Sequence, residues 1–149
     1  MPNPFCHIEL TTGDLASAKK FYKKLFDWKL EDMPMGPGKV YTMVGVGDGV
    51  GGGMMTPDSP EQPIGWHAYV EVDDVKKTIA KAEKNGAKIV VPFMEIPGNM
   101  GAFGIFVDPA GAPLGVWQKA KKAAKKAAKK AAKKAAKAAP KKKAAAKKK

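Results

Sequence analysis

The chain has 149 residues with 27 lysines, 14 acidic residues and two histidines, for a net charge of +13. That length carries a core able to fold without disulfides or metals, and the single Cys6 excludes an intrachain disulfide and suits a reducing compartment. The charge is divided: residues 1–118 hold 11 lysines against all 14 acids, a net −3, whereas residues 119–149 hold 16 lysines and no acid. The expected organisation is therefore a slightly acidic domain over 1–118 followed by a basic arm over 119–149. The opening MPNPFCHIEL lacks the basic stretch and apolar core of a signal peptide, and no apolar run reaches the length of a membrane span. A cytoplasmic protein is expected.

In chain order, FCHIEL (5–10) alternates as a strand and is followed by turn residues. A helix is predicted over 14–26, with Leu15, Ala18, Tyr22 and Leu25 at helical spacing and Lys19, Lys20, Lys23 and Lys24 largely on the wet side. Strand signals follow at 28–33, 40–46 and 49–56. WHAYVEV (66–72) alternates like the first strand and leads into a second helix in which Val75, Ile79 and Ala82 share a face. Asp74 is a good N-cap, and Asn85 with Gly86 a good stop. Strand signals return at 88–97, 101–108 and 113–118. Setting Asp14 against Asp74 also sets His7 against His67, an offset of 60 in both cases. Each half thus reads β-α-β-β-β, an internal repeat.

Side chains alternate across a strand. Phe5, His7 and Glu9 are expected on one face of the first strand, with Cys6, Ile8 and Leu10 on the other. In the matching strand His67, Tyr69 and Glu71 oppose Ala68, Val70 and Val72. The apolar faces are expected to pack on the helices. The mixed faces, if the halves are related by pseudo-symmetry, converge on one concavity suited to a small molecule. Cys6 then faces a helix and is core rather than nucleophile, and Gly51–Gly53, with no following lysine or helix, marks close strand packing rather than a phosphate loop.

The strings TTGDLASAKKFYKKLFDW, GGGMMTP, WHAYVEVDDV, AEKNGAKIVVP and EIPGNMGAFGIFVDPAGAPLGVWQ resemble the vicinal oxygen chelate superfamily, which holds glyoxalase I, bleomycin-resistance proteins and extradiol dioxygenases. The resemblance covers about residues 4–118. It implies an α+β fold in which two βαβββ modules build one cup. Metal-dependent members hold a divalent ion with one residue from the first and one from the last strand of each module. The first-strand positions match His7 and His67. The last-strand positions, usually Glu, fall on Gly or Met in DGVGGGMMTP and on Gly115 in the second module. A catalytic ion normally needs about three protein ligands, so no cofactor is expected, and a divalent metal, were one held, would sit on His7 and His67.

Two functions follow from the resemblance. In one, a lyase- or isomerase-type enzyme uses His7, His67 and Glu9 for general acid/base work on a small carbonyl or phenolic substrate. In the other, a non-catalytic module of the bleomycin-resistance kind sequesters a planar ligand. The pocket residues expected for either are Phe5, Trp66, Tyr69, Glu71, Phe103 and Trp117, in a monomer or homodimer.

KKAAKKAAKKAAKKAA (121–136) resembles the lysine-rich tails of linker histones and bacterial histone-like proteins. Lysines four residues apart repel along a free helix, so the tail is expected to be disordered alone and partly helical on a polyanion. Lys121, Lys122, Lys125, Lys126, Lys129, Lys130, Lys133 and Lys134 are the expected contacts to DNA or RNA phosphates, holding the domain at the nucleoid. Sequence-specific reading of bases is not expected, since the tail has no Arg, Asn or Gln to pair with base edges. Without Trp, Phe or Leu it is no membrane anchor.

Overall fold

The computed structural model describes residues 2–120, which fall within or border a compact unit, Met1–Lys119, separate from Ala120–Lys149. The lysines expected to contact nucleic acid, from Lys121 to Lys134, lie outside the described residues. The first module comprises β1 (Phe5–Thr11), α1 (Leu15–Leu25), β2 (Lys29–Gly36), β3 (Lys39–Gly45) and β4 (Gly52–Met55). The second comprises β5 (Gly65–Glu71), α2 (Val75–Lys84), β6 (Lys88–Glu95), β7 (Ala102–Val107) and β8 (Pro113–Gln118). The order β-α-β-β-β, twice, is as the sequence predicts.

All eight strands form one sheet in the order β2-β3-β4-β1-β5-β8-β7-β6. Within each module the first strand pairs in parallel with the last, β1 with β4 and β5 with β8. The modules join through antiparallel β1 and β5, where Ile8 faces Ala68, His7 faces Tyr69 and Glu9 faces His67.

Both helices begin on an aspartate in extended conformation. The Ser17 N–H donates to Asp14 Oδ1 at 2.9 Å and the Lys77 N–H to Asp74 Oδ1 at 3.1 Å, each cap stabilising its helix by about 1 kcal/mol. α2 ends on Asn85, after which Gly86 takes a φ of 90° that suits glycine. The core lies between helices and sheet in two parts: Leu10, Val44 and Met54 under α1, and Val72, Val75, Ile79 and Val116 under α2. α2 buries Val75 and Ile79 fully, whereas α1 buries no residue fully. Leu25, placed by spacing on the apolar side of α1, is half exposed. A helical wheel sets it about 60° from Tyr22, at the margin of the packed stripe.

Candidate functional site

On the sheet face away from the helices, β1 and β5 present His7 and Glu9 beside His67, Tyr69 and Glu71. Alternation and the cross-strand register fix this grouping. The next strands add Tyr41 from β3 and Phe103 from β7. Met43 pairs with Gly53 and Ile105 with Gly115, so Gly53 and Gly115 are matching positions in the two modules, as are Tyr41 and Phe103.

Four of these side chains form one hydrogen-bonded chain. His7 Nε2 lies 2.6 Å from Tyr41 Oη. The Tyr41 hydroxyl donates to Glu9 Oε2 at 2.9 Å, and the Tyr69 hydroxyl donates to Glu9 Oε1 at 3.1 Å. A phenol has one proton. With Tyr41 donating to Glu9, its oxygen accepts from His7, which places the imidazole hydrogen on Nε2 and leaves Nδ1 as the basic nitrogen. Burial pushes the His7 imidazole below its ordinary value, and the nearby Glu9 charge only partly opposes this. His7 is therefore neutral at neutral pH. Burial, followed by the charge and hydrogen bonding of Glu9, raises both Tyr41 and Tyr69 far above the ordinary phenol range. Both phenols thus remain donors throughout the physiological range.

The rings pack as well as bond. His7 meets the Tyr69 ring edge-on with centroids 5.9 Å apart, and Tyr69 meets Phe103 edge-on at 6.3 Å. Phe103 is cross-strand partner to Trp117, which in turn pairs with Glu71. Phe103, Trp117, Tyr69 and Glu71 therefore share the face of His7, although the Glu71 carboxylate also forms an ion pair with Lys119 at 2.7 Å.

Two expected wall residues stand elsewhere. A register shift between Phe5 and His7 sets Phe5 opposite Val70. The irregularity at Cys6 breaks the alternation, and Phe5 is 59% exposed. Trp66 is an even-numbered neighbour of Ala68 and Val70, so it points to the helix side. There its ring meets Tyr22 and Trp28, and its Nε1–H donates to the Tyr22 hydroxyl at 3.2 Å. Cys6 is half-buried and donates to the Tyr69 carbonyl, and burial, then the Glu71 charge, raises its thiol.

Tyr41 is the site residue that the sequence reading overlooked. The sequence carries only its strand position, in VYTMV where Tyr41 alternates with Met43; the glycine run becomes its neighbour only through strand pairing. The glycines explain the fit. A side chain on Gly53 would run into the Tyr41 ring, and one on Gly115 would run into the Tyr69 ring. Gly115 is the position that the resemblance assigns to a ligand of metal-dependent members in the second module, and Gly53 lies in the Gly/Met stretch that it assigns in the first. Here the phenol rings occupy that space. Among the described residues no three His, Cys, Asp or Glu side chains converge on one point. The donors on this face are two imidazoles, the Glu9 carboxylate already engaged by two phenols and the Glu71 carboxylate paired with Lys119, which leaves fewer free ligands than a divalent ion usually takes. The residues do not fit a resident metal.

Comparison with known proteins agrees with this architecture. Residues 5–116 match the family described as Glyoxalase/Bleomycin resistance protein/Dioxygenase superfamily. CFP32 of Mycobacterium bovis, whose name carries the word glyoxylase, is 38% identical over 115 residues, covering 74% of this chain and 44% of that protein. DnrV of Streptomyces peucetius, named as an anthracycline biosynthesis protein, is 28% identical over 126 residues, covering 75% and 46%. The chain thus spans less than half the length of these two relatives. Among solved structures, methylmalonyl-CoA epimerase from Mycobacterium tuberculosis superposes with a TM-score of 0.61 at 15% identity, over 81% of this chain and 91% of that one. That likeness concerns the fold. Among the described residues no helix is long and apolar enough to cross a membrane.

Proposed function

Because the chain belongs to the glyoxalase/bleomycin resistance protein/dioxygenase superfamily, we propose that its cup binds a small planar carbonyl or phenolic molecule and exchanges a proton with it through His7, without a resident metal. The observation that carries this reading is the chain His7–Tyr41–Glu9–Tyr69. A neutral imidazole with Nδ1 basic accepts a proton near neutral pH. The positive charge that then forms is stabilised through the Nε2–H bond to Tyr41 and, beyond it, by the Glu9 carboxylate. Tyr69 holds the other carboxylate oxygen, so Glu9 keeps its place when the charge on His7 changes. His67, directly across the ladder from Glu9, is the second acid/base group. Phe103 and Trp117 supply flat walls for stacking, which agrees with a relative named for anthracycline biosynthesis.

The non-catalytic reading has its own support, since both Glu9 oxygens already accept a phenol hydroxyl. A closed network binds and orients without needing to turn over. A panel of thiol adducts, catechols and aromatic drugs separates the two. Turnover lowered about 10²–10⁴-fold by His7→Ala supports the enzyme. Saturable binding without turnover supports sequestration. No binding by any member would reject the cup as a ligand site of this class.

The second part of the proposed function is a tether. Sixteen lysines and no acid over 119–149 exceed what solubility requires, and they suit the phosphate backbone of DNA or RNA. This would hold the cup at the nucleoid.

A further inference from the structure

The two helices occupy matching places, which makes each a control for the other. At the offset of 60, Phe21, Tyr22, Leu25 and Phe26 correspond to Lys81, Ala82, Asn85 and Gly86, while Trp28 and Trp66 correspond to Lys88 and Cys6. The fold thus builds its second module without these aromatics. In the first module they form one cluster around Tyr22. Its ring meets Phe21 edge-on at 5.2 Å, stacks with Trp28 at 5.7 Å and meets Trp66 edge-on at 5.5 Å, while Phe26 lies 4.6 Å from Trp28. Tyr22 and Trp28 anchor the cluster against Leu10, Val44 and Met54. Phe21, Phe26 and Trp66 remain 58%, 45% and 42% exposed.

Charge borders this platform. Residues 15–29 carry five lysines and one acid, Asp27, on a body that is otherwise acidic. Lys24 is one turn from Phe21. Lys20 and Lys23 are exposed along α1 and line the open groove between α1 and β2. Lys19 is engaged with Asp32 at 2.7 Å. A second copy of the chain docked face to face would bring the same lysine row against this one. The charge instead suits an anionic partner with flat faces to stack.

We infer that the α1 platform binds single-stranded nucleic acid, with unstacked bases on Phe21, Phe26 and Trp66 and phosphates on Lys20 and Lys24. Aromatic stacking beside a basic track is how sequence-tolerant single-strand binders work. Duplex DNA keeps its base faces paired and stacked, so the platform favours the single strand. The inference does not rest on the tail or on the cup.

The test uses the full chain with an oligothymidine of about ten nucleotides and a duplex of equal length, at about 200 mM salt, where tail contacts are weak. Trp fluorescence and anisotropy are followed together. The expected result is tighter binding of the single strand, accompanied by quenching that is reduced in Trp66→Phe. In Phe21→Ser/Phe26→Ser, single-strand affinity should fall roughly fivefold to a hundredfold per stacked base lost, with duplex affinity unchanged. Both side chains are exposed, so the melting curve should stay close to that of the parent. If that variant misfolds, Lys20→Gln/Lys24→Gln is the substitute, with a shallower salt dependence expected for the single strand. Unchanged single-strand affinity, binding without Trp quenching, or a dimer that the serine variant splits into monomers would overturn the inference. The last result would assign the platform to a second copy.

Discussion

Ile8 and Ala68 face each other across the β1–β5 ladder, and they are the same position in the two modules, 60 residues apart. A pseudo-dyad therefore passes between them, and it fixes which chemistry meets which. His7 must then face the residue matching Glu9, which is Tyr69, and Glu9 must face the residue matching His7, which is His67. The site is two copies of one cross-strand pair that differ at a single position, a carboxylate at Glu9 and a phenol at Tyr69. That difference leaves one acid, bonded by two phenols, where a second glutamate in place of Tyr69 would put two acids near each other.

The phenols require the glycines. Gly115→Ala should destabilise the protein by about 1–3 kcal/mol, since the new methyl meets the Tyr69 ring on a neighbouring strand. In a Tyr69→Ala background the same change should cost markedly less, giving a coupling of about 0.5–3 kcal/mol. Denaturant unfolding of the four proteins measures this. Additive effects would show that the ring and the glycine do not share the space.

Tyr41→Phe removes one hydroxyl but strands two partners, the His7 Nε2–H and a Glu9 oxygen. A half-buried polar group left without a partner costs about 1–3 kcal/mol. Stability should fall by that order, and the imidazole ¹⁵N shifts should move away from a pure Nε2–H tautomer. Unchanged shifts would mean that Tyr41 does not set the tautomer.

The pH dependence follows from the direction of the His7 shift. Its folded-state value lies below the ordinary 6.5 because burial disfavours the cation. The unfolded chain therefore binds the proton first as pH falls. The stability contributed by neutral His7 is complete above about pH 6.5 and is lost as pH falls through the folded-state value. The slope in that window is at most about 1.4 kcal/mol per pH unit for one proton. Urea unfolding across the acid range should show the decline, and His7→Gln should flatten it. An equally steep decline in the variant would assign it to carboxylates.

Much of this was legible beforehand because it rests on periodicity. Alternation in FCHIEL and WHAYVEV, caps at Asp14 and Asp74, and the offset of 60 were enough for the strand and helix order and for His7, Glu9, His67 and Tyr69 on one face. Phe5 escaped because an irregularity at Cys6 shifts the ladder register, and strict alternation does not see it. Trp66 is aromatic like the wall residues, but its parity with Ala68 and Val70 sends it to the helix side. Tyr41 escaped because its role depends on a glycine on the neighbouring strand and a carboxylate 32 residues away. Such a contact belongs to the pairing of strands and leaves no local pattern.

The donor set predicts the outcome of metal loading. Titration with Zn²⁺, Ni²⁺, Mn²⁺ or Fe²⁺ should give no stoichiometric tight binding and no appreciable rise in Tm, because a ligand at 100 times its Kd would stabilise by about 2.7 kcal/mol. One ion per chain that disappears in His7→Ala/His67→Ala would show that the phenols yield to a metal and would restore a glyoxalase-like reading.

The tether makes the most quantitative prediction. Residues 119–149 carry +16 and the preceding body −3, so attraction to duplex DNA should come from the tail and be opposed weakly by the body. With about eight to ten phosphates neutralised, affinity should drop by on the order of 10³–10⁵ between 50 and 200 mM salt. Scrambling the DNA sequence should change it hardly at all, since a run of lysine and alanine has no Arg, Asn or Gln and no pattern of differing side chains to match a base order. Replacing Lys121, Lys122, Lys125, Lys126, Lys129, Lys130, Lys133 and Lys134 with glutamine removes eight of the sixteen charges. That variant should show a log–log slope about seven units shallower, from roughly −0.9 per contact, with the melting of the folded body unchanged. Duplex binding that ignores salt, or that survives the eight substitutions at full strength, would place the DNA contact on the folded body instead.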